Sequence, residues 1–516
     1  MPKVKINDTE IEVPAGTNMI EAAKLAGVEI PHYCYHPHLS VAGNCRMCMC
    51  ESVTPRGSVL EIACNMQARE GLAIRTDTDQ VKAVRKSVME FLLVNHPLDC
   101  PICDQSGECR LQDYYMDHGQ YDSRGLEPKV SKHKRQDIGD HIVLDAERCV
   151  QCSRCERFGD EVTGTGDLRL MNRGDHTEIG MFPGTRLEHD YQGNLADICP
   201  VGALTSTDFR FERRVWYLRE TAGLCTGCAT GCNIQVCHQD GEVFRYLPRR
   251  NDDVNKSWIC DPGRDLHKRV GSLERILRAR VDGSPCTTAQ AELATRIRAA
   301  GNRVGFVLGT QASLEANWAL IQLARGNCPE ARFFWVSGND GDAIEKSDHL
   351  LMDIDKNANT AGVQLLAEWV GNVGDTDALR EADLALLIVL EDDIVSRLNG
   401  GALPELAYFG SRENATSAQA SLVIPVTHPA EMDATYVNRQ GRVQRNRRAT
   451  NPLGEAAPAY AALEKLGTAL GKAPGTGLPV ATFLSLARAV PRLAGLDYKV
   501  LGNTGRLLAP PVAEAK

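Results

Sequence analysis

The sequence predicts a multidomain protein of the α+β and α/β classes, with small cysteine-rich domains followed by a larger α/β domain. Its 516 residues exceed what one ordinary hydrophobic core can organise. Seventeen of the 19 cysteines precede residue 261, so any metal chemistry is confined to the N-terminal half. Beyond residue 275, short apolar runs alternate with helical patterns, which indicates a mostly parallel sheet covered by helices.

Composition and charge exclude several classes of protein. Hydrophobic residues make up 43% and charged residues 24% of the chain, and no run of 18 apolar residues occurs, so we expect no membrane span. The N-terminus enters a strand pattern directly, and we expect no secretory signal. The net charge is -9, and the sequence shows no stripe of basic residues. Both observations argue against a nucleic-acid partner. Cysteines crowded into C-x2-C units then indicate metal sites in a reducing compartment rather than disulfides.

Residues 1–78 are predicted to form the first domain. Residues 3–6 and 10–13 alternate apolar and polar side chains around Asn7, which predicts a β-hairpin. Asn18 followed by Glu21 matches the capping box that begins a helix. A ligand set spaced C-x10-C-x2-C-x15-C follows this helix: Cys34, Cys45, Cys48 and Cys64.

This cysteine pattern after a hairpin and a helix resembles the [2Fe–2S] ferredoxins of β-grasp type. The ten-residue gap between Cys34 and Cys45 is longer than the corresponding gap in plant-type ferredoxins. A longer gap is typical of ferredoxin domains built into larger oxidoreductases. A structural zinc site is the alternative, although such sites more often use two close ligand pairs. Cys50 lies two residues past Cys48 and is expected to face away from the site.

Residues 79–216 are predicted to form a ferredoxin-like domain with two [4Fe–4S] sites. An amphipathic helix over residues 81–94 is expected to pack through Val81, Val84, Val88, Phe91 and Leu92. Pro97 ends this helix and leaves the preceding residue in an extended loop. The first site then has the spacing H-x3-C-x2-C-x5-C: His96, Cys100, Cys103 and Cys109.

Three thiolates and one imidazole at this spacing can surround a compact inorganic core. The alternative for His96 is an ordinary surface or core histidine. The second site begins with the C-x2-C-x2-C run of bacterial ferredoxins, and Cys199-Pro200 reproduces their Cys-Pro step. We therefore assign four cysteines to it: Cys149, Cys152, Cys155 and Cys199. If Cys199 were only a buried thiol, the triplet would lack a ligand.

Residues 217–275 carry a fourth group with the spacing C-x2-C-x3-C-x27-C: Cys225, Cys228, Cys232 and Cys260. It resembles the small [4Fe–4S] domain that opens the molybdopterin oxidoreductases, and Asp-x-Gly-Arg at residues 261–264 follows it as in those proteins. Cys237 has no place in this pattern and is expected to be a packed strand residue.

Residues 276–516 are predicted to form the α/β domain. Residues 304–308, 382–390 and 422–426 are buried-strand patterns, and a helix is expected over residues 313–325. No G-x-G-x-x-G motif follows a strand and no Walker loop exists, so neither a dinucleotide nor ATP is expected here.

The four groups in this order resemble the iron–sulfur G-subunit family of respiratory complex I, the NADH:quinone oxidoreductases. Residues 433–444 also resemble a segment of that family. The resemblance implies that residues 276–516 are an abbreviated molybdopterin-oxidoreductase-like domain. Pro262 stands where catalytic relatives often carry a lysine, so no molybdopterin is expected.

The resemblance implies an electron-transfer subunit with one [2Fe–2S] and three [4Fe–4S] clusters and no substrate site of its own. Electrons would arrive from NADH through a flavin-bearing partner and leave toward quinone through other subunits, with the fourth cluster off the main path. The complex would lie on the cytoplasmic side of the bacterial inner membrane, and this chain would touch the membrane only through the complex. Replacing a thiolate by the neutral imidazole of His96 should favour the reduced cluster.

Three alternatives remain open on the sequence. The first is a formate dehydrogenase-like enzyme whose C-terminal domain binds a molybdopterin. The second is the diaphorase module of a hydrogenase, which shares the first three sites. The third is an interaction scaffold stabilised by zinc.

Overall fold

The computed structural model describes residues 1–55, 57–339, 346–398, 400 and 402–509. The chain forms two compact units, Met1–Tyr217 and the residues from Leu218 onward. The last seven residues of the predicted 276–516 domain lie outside the described residues. Within the described ranges, no helix combines the length and apolar character needed to cross a membrane.

The first unit begins with a five-stranded sheet. The predicted hairpin is confirmed, since Lys3–Ile6 pairs antiparallel with Thr9–Glu12 and Asn7 has the left-handed φ of 54° at the turn. Lys3–Ile6 also pairs in parallel with Leu72–Arg75, which joins the two ends of this region. The sheet is completed by Met49–Thr54 and Gly57–Ile62.

Helix Met19–Leu25 covers this sheet. The predicted start is confirmed, because the Asn18 side chain accepts a 2.9 Å hydrogen bond from the Ile20 amide. The buried residues of the helix belong to the same apolar cluster as Cys48 and Cys64. The core of this region therefore extends to the first group of cysteines.

The next helix, Asp79–Leu93, differs from the predicted packing face. Val81 is buried as expected, but Phe91 is 80% exposed, whereas Arg85 and Met89 are buried. Residues 81, 85 and 89 succeed each other at intervals of four and so share one face of the helix, and Phe91 points away from it. Arg85 is accommodated because its guanidinium donates to the carbonyl oxygen of Met49 at 3.1 Å.

The rest of the first unit is built from short elements. Its helices are Arg110–His118, Arg154–Phe158 and Gly193–Ile198. Leu204–Ser206, Ile142–Leu144 and Gln136–Asp137 form a small sheet, and Arg169–Met171 pairs with Glu178–Gly180. One apolar cluster, which includes Tyr33, Met47 and Val201, reaches cysteines of all three groups in this unit.

The second unit begins with an antiparallel sheet of Arg219–Leu224, Asn233–Gln239 and Glu242–Pro248. Cys237 is buried in its central strand, which is the packed position expected for it. Helix Asp261–Asp265 begins directly after Cys260.

An eight-stranded sheet forms the centre of the second unit, and the predicted mostly parallel arrangement is confirmed. Six strands are parallel, and two short antiparallel strands lie at one edge. Their order is Ser284–Pro285, Arg280–Val281, Leu422–Pro425, Glu405–Gly410, Leu386–Leu390, Val304–Val307, Arg332–Phe334 and Val373–Gly374.

Helices cover the large sheet. The predicted helix is Leu314–Asn327, and its N-cap Ser313 accepts a hydrogen bond from the Ala316 amide. The other helices are Ala289–Ala300, Thr360–Val370, Thr376–Glu381, Ile394–Leu398, Ala415–Gln419, Ala459–Leu470, Pro479–Ala489 and Tyr498–Leu501. A further small sheet contains Ala434–Val437, Arg442–Asn446 and Arg506–Leu507.

Candidate metal centres

The four thiols of the first group lie together. Cys34, Cys48 and Cys64 are buried and Cys45 is half-buried. Hydrogen bonds from the Cys45 and Cys64 thiols lower the pKa of Cys34, and a bond from Cys64 lowers the pKa of Cys48. Because these sulfur atoms contact one another, the loop and strands bring the complete predicted set to one point.

Cys50 is directed elsewhere. Its sulfur atom lies 3.7 Å from the carbonyl oxygen of Glu61 and 3.9 Å from the sulfur atom of Met66. Burial raises the pKa of Cys50 to about 12, so its thiol is protonated at neutral pH. It is therefore a packing residue of strand Met49–Thr54.

The second group follows the helix Asp79–Leu93. Cys103 is buried, Cys109 is half-buried and Cys100 is exposed, and the charges of Cys100 and Cys103 act on Cys109. Burial raises the pKa of the Cys103 thiol, and the nearby Arg148 guanidinium opposes that rise. Arg148 is itself buried, with Nη2 at 3.0 Å from an Asp99 carboxylate oxygen.

The charge of Arg148 acts on His96 as well as on Cys103. Burial lowers the pKa of His96 to about 4, and Lys129 and Arg148 add to this effect, so its ring is neutral at neutral pH. Its Nδ1 atom is buried and has no hydrogen-bond partner among the described residues. A buried polar atom without a partner is costly in a protein interior, and a neutral imidazole is the form that binds metal. A neutral ring with a buried, unpartnered nitrogen suits a metal ligand, and the ligand role of His96 stays a prediction.

Gly202 determines how closely two of the groups approach each other. A Cβ atom at this position would lie 2.3 Å from the sulfur atom of Cys103, so no other residue fits without displacement. Gly202 follows Cys199 by three residues, and the carbonyl oxygen of Pro200 accepts a 3.1 Å hydrogen bond from Arg110. The loop that carries Cys199 thus packs directly against the second group.

The four cysteines of the third group line one mainly apolar cavity with Val150, Leu170 and Ile179. Gln151 and Ser153 have positive φ angles of 52° and 57°, which lets the cysteines of the triplet turn toward the same side. The Gln151 amide lies 3.3 Å from the sulfur atom of Cys149 and donates to it. Backbone conformations of this kind form concave sites for anions and iron–sulfur groups.

Two arginines connect the first and third groups. Arg154 is 5% exposed, and its guanidinium donates to the carbonyl oxygens of Ile198, at 3.0 Å, and of Tyr35. Arg157 donates to the carbonyl oxygens of Cys34 and Cys152. Because each arginine binds backbone next to or at cysteines of both groups, the two loops are held in a fixed relation.

All four cysteines of the fourth group are buried. Burial raises the pKa of the Cys232 thiol, and the charges of Cys225, Cys228 and Cys260 raise it further, which places the four together. The Gly263 amide donates to the sulfur atom of Cys260 at 3.3 Å. A Cβ atom at Gly263 would lie 3.0 Å from that sulfur atom, so the glycine also allows a close approach.

The predicted segment 433–444 packs on the loop of the fourth group. Asn438 donates to the carbonyl oxygen of Thr230 at 3.2 Å, and Gln444 donates to that of Gly231 at 2.7 Å. Just beyond this segment, Asn446 accepts a 3.1 Å bond from the Leu224 amide. These buried amides satisfy the backbone that surrounds the cysteines.

The donor chemistry of all four sites fits iron–sulfur clusters. None of the 19 cysteines forms a disulfide. Each predicted group offers either four sulfur donors or three with one imidazole. Thiolate sets with occasional histidine replacement are the ligands of such clusters, and N–H donors to sulfur are the interactions that tune them. Which residues hold a cluster stays a prediction from the sequence.

Four family models match the cysteine-rich N-terminal half of the chain. They are the "2Fe-2S iron-sulfur cluster binding domain" over residues 2–79 and the "NADH-ubiquinone oxidoreductase-G iron-sulfur binding region" over residues 85–124. The others are the "NADH-quinone oxidoreductase subunit 3, ferredoxin-like domain" over residues 139–205 and the "NADH-ubiquinone oxidoreductase NDSU1/NuoG-like, 4Fe-4S domain" over residues 218–267. The chain therefore carries both 2Fe–2S and 4Fe–4S cluster-binding domains.

Curated relatives agree with these matches. The G subunit of the NADH-quinone oxidoreductase of Rickettsia bellii is 44% identical over 264 residues, which is 51% of this chain and 38% of that protein. The cysteine-rich half of the chain is similar in sequence to the G subunits of NADH-quinone oxidoreductases. The mitochondrial NADH dehydrogenase [ubiquinone] iron-sulfur protein 1 of Solanum tuberosum is 44% identical over 262 residues, which is 51% of this chain and 35% of that protein.

The match to these relatives spans less than two-fifths of their length. Among solved structures, the crystal structure of an NAD+-reducing [NiFe]-hydrogenase in the H2-reduced state shares 27% identity, with a TM-score of 0.36. That likeness covers 42% of this chain and 91% of the hydrogenase chain.

Several residues that build the sites were not predicted from the sequence. A sequence signal for Gly202 does exist, because this glycine lies two residues after the Cys199-Pro200 step. Arg154 and Arg157 stand beside the cysteine triplet, but no sequence pattern shows that they reach a loop more than 100 residues away. Asn438 and Asn446 contact the loop of the fourth group although they lie more than 200 positions away in the sequence.

Proposed function

We propose that the chain is the electron-transfer iron–sulfur subunit of an NADH:quinone oxidoreductase, respiratory complex I. The observation that carries this proposal is the arrangement of the first unit, in which cysteines from three ligand groups border one apolar core. An apolar surrounding limits water and keeps each site at a fixed place, which electron transfer between sites requires. The names of the relatives supply the kind of complex.

We assign one [2Fe–2S] cluster to the first group and one [4Fe–4S] cluster to each of the other three. The ligands would be Cys34, Cys45, Cys48 and Cys64; His96, Cys100, Cys103 and Cys109; Cys149, Cys152, Cys155 and Cys199; and Cys225, Cys228, Cys232 and Cys260. When bound, the clusters supply one-electron carriers whose potentials depend on ligands, hydrogen bonds, charge and solvent exposure. No catalytic residue is assigned to this chain.

We further propose that the Cys149–Cys199 site lies between the other two sites of the first unit. Arg157 binds backbone at both Cys34 and Cys152, which supports contact between the first and third sites. Gly202 lies against Cys103, which supports contact between the third and second sites. Spatial order would then differ from sequence order, in which the His96 group comes second.

His96 and Arg148 would both favour the reduced form at the second site. A neutral imidazole leaves the cluster with less negative charge than a fourth thiolate. Arg148 is a buried cation close enough to act on both Cys103 and His96. Positive charge near a cluster stabilises the added electron.

We place the domains at residues 1–78, 79–216, 217–275 and 276–516. The last is proposed to be an abbreviated molybdopterin-oxidoreductase-like domain that binds no molybdopterin. Its support of the fourth site is consistent with a structural role, since Asn438 and Gln444 hold the backbone around Thr230 and Gly231. Pro262, rather than a lysine, occupies the first turn of helix Asp261–Asp265.

The proposed partners are the flavin- and NADH-binding subunit on one side and the subunits that lead to quinone on the other. The complex would sit at the cytoplasmic face of the bacterial inner membrane. The names of the relatives, which describe components of NADH-quinone oxidoreductase and NADH dehydrogenase, support a place in such a complex. The particular partners and the location follow from the resemblance to the complex I family.

The experiment is purification of the chain within its native assembly, followed by rapid freezing after addition of NADH and paramagnetic resonance at low temperature. We expect NADH to reduce clusters of this chain, and His96→Ala to remove one of the signals. Reduction by formate but not NADH, with molybdenum or tungsten in the chain, would establish the formate dehydrogenase-like alternative. Co-purification with large hydrogenase subunits would establish the diaphorase alternative.

A further inference from the structure

The large sheet of the second unit reverses its direction of strand addition at one point. The chain passes from Val304–Val307 outward to Arg332–Phe334 and Val373–Gly374, and then returns to Leu386–Leu390 on the other side of the first strand. Val304–Val307 and Leu386–Leu390 are therefore parallel neighbours with outgoing connections on opposite sides. In open α/β sheets, ligands bind in the crevice at the carboxyl ends of such a strand pair.

A cavity of about 120 Å³ lies at these carboxyl ends. Gln311 reaches it after Val304–Val307, Glu391 after Leu386–Leu390, Ser411 after Glu405–Gly410 and His428 after Leu422–Pro425. Thr226 of the fourth cysteine group also borders it. A cavity of about 150 Å³ can hold a benzene molecule, so this space suits a small ion or metabolite rather than a nucleotide.

Three arginines line the cavity. Arg275 is buried and forms an ion pair with Glu431 at 2.7 Å, whereas Arg412 lies 3.7 Å from the largely exposed Glu274. Arg269 is half-buried and completes the set. Guanidinium groups present planar sets of N–H donors that match the oxygens of phosphates and carboxylates.

His428 adds a neutral donor to this side of the cavity. Burial lowers the pKa of His428 to about 3, and the charges of Arg275, Arg269 and Arg412 lower it further. Its Nδ1 atom accepts a 3.1 Å hydrogen bond from the Ala430 amide, which leaves the ring proton on Nε2. The histidine therefore offers an N–H group without adding charge.

The acidic residues nearby are either protonated or already accept hydrogen bonds from other residues. Burial raises the pKa of Glu391 to about 8, and the charge of Asp392 raises it further, so Glu391 is mainly protonated at neutral pH. Asp392 already accepts bonds from Thr310 and Arg397. Asp393 accepts from the amide and hydroxyl of Thr416 at 2.9 and 2.7 Å.

We propose that this cavity binds a small oxyanion, carried either by phosphate or by a short carboxylate, through Arg269 and Arg412. The site lies where the topology places ligands, its size suits a small anion, and three arginines line it. The proposal does not depend on electron transfer, because no cluster ligand takes part. It gives the C-terminal domain a binding role beyond support of the fourth site.

Calorimetric titration of the purified full-length chain, with its clusters in place, tests this proposal. Inorganic phosphate and malonate are the two probes, and sodium chloride at equal ionic strength is the reference. We expect saturable binding of at least one probe, which also identifies the phosphate or the carboxylate class. Saturable binding of neither probe would overturn the proposal.

Variants locate the binding. Arg412→Gln should weaken it about 10-fold to 100-fold, the usual effect of losing a charged hydrogen bond. Arg303→Gln is the matched control, because Arg303 is exposed and pairs with the exposed Asp383 at 3.7 Å. Equal binding by the wild-type chain and Arg412→Gln would contradict the assignment.

A measurement on the wild-type chain keeps the test valid if Arg412→Gln fails to fold. Phenylglyoxal modifies accessible guanidinium groups, and mass spectrometry reports the extent at each arginine. The bound probe should slow modification of Arg412 at least several-fold and leave Arg303 unchanged. Equal rates at Arg412 with and without the probe would overturn the proposal.

Discussion

The carbonyl oxygen of Cys34 accepts a 2.6 Å hydrogen bond from Nη2 of Arg157. The same nitrogen lies 3.3 Å from the carbonyl oxygen of Cys152 and donates to it. The other terminal nitrogen of this guanidinium binds the carbonyl oxygen of Ser40. One side chain thus joins the backbones of two proposed ligands that belong to different clusters, and it fixes how the two loops meet.

Arg157→Gln should separate these two loops. The lost charged donors leave backbone acceptors unsatisfied, so we expect the free energy of unfolding to fall by about 1–3 kcal/mol. The magnetic interaction between the first and third clusters should also weaken. Chemical denaturation and paramagnetic resonance of the reduced chain measure the two effects.

Arg169→Gln is the control for Arg157→Gln. Arg169 is a partly exposed arginine of the same region, and it pairs with Asp160 at 2.7 Å. Its loss should change the free energy of unfolding by less than about 1 kcal/mol and leave the cluster signals unchanged. If both variants behaved alike, the bridge formed by Arg157 would have no special role.

His96→Cys should keep a cluster at the second site and lower its reduction potential, because a thiolate adds negative charge that the imidazole does not carry. His96→Ala should remove or alter the signal of that cluster. Potentiometric titration followed by paramagnetic resonance measures both results. His118→Ala, in the helix that follows Cys109, is the matched control and should leave the cluster intact. An unchanged spectrum and potential in His96→Ala would refute the ligand assignment.

Gly202→Ala should disturb the second site although residue 202 is not a ligand. The added Cβ atom would lie 2.3 Å from the sulfur atom of Cys103, so the thiol must move. We expect loss or broadening of the signal from the His96 site, with the [2Fe–2S] signal retained. Gly125→Ala is the control, because its nearest contact, the Ser123 hydroxyl, would be 3.7 Å away. A normal signal in Gly202→Ala would show that this contact is not needed.

Glu315 should make the stability of the second unit depend on pH. Its buried carboxyl accepts bonds from the Thr435 amide at 2.8 Å and the Tyr498 hydroxyl at 2.7 Å, yet burial raises the pKa of Glu315 to about 7. An unfolded glutamate has a pKa of about 4.3. The folded state therefore holds a proton that the unfolded state lacks, and this contribution to stability falls as pH rises from about 4.3 to about 7.

Denaturation followed by the fluorescence of Trp318, which lies in the same helix as Glu315, measures this dependence. Between pH 5.5 and pH 7.5 the wild-type midpoint should fall more than that of Glu315→Gln, whose amide does not titrate. Glu368→Gln, at a side chain that is 63% exposed, should behave like the wild type. Parallel pH profiles for the wild type and Glu315→Gln would rule out this carboxyl as the cause.

Local patterns predicted the local structure well. The alternation at residues 3–6 gave the first hairpin, and Asn18 and Ser313 marked the starts of two helices. The apolar runs gave central strands of the large sheet, because a buried parallel strand is apolar on both faces. The cysteine spacings predicted the groups of thiols, and the structure brings together those of the first, third and fourth groups.

Long-range contacts could not be predicted in this way. Arg85 is buried and Phe91 is exposed because the surroundings of the helix, rather than its hydrophobicity, decide which face packs. Arg157 reaches Cys34, and Asn438 reaches Thr230, across more than 100 residues of sequence. A single sequence carries no local signal for such contacts, and the cavity beside Arg412 depends on four loops of the completed sheet.

Metal and acid-labile sulfide analysis, combined with low-temperature paramagnetic resonance of the reduced chain, tests the central claim most directly. One binuclear and three tetranuclear clusters predict about 14 iron atoms per chain and a distinct set of signals from each type. A content near 10 iron atoms would remove one tetranuclear assignment. Zinc in place of iron, with no visible charge-transfer absorption and no paramagnetic signal on reduction, would contradict the account.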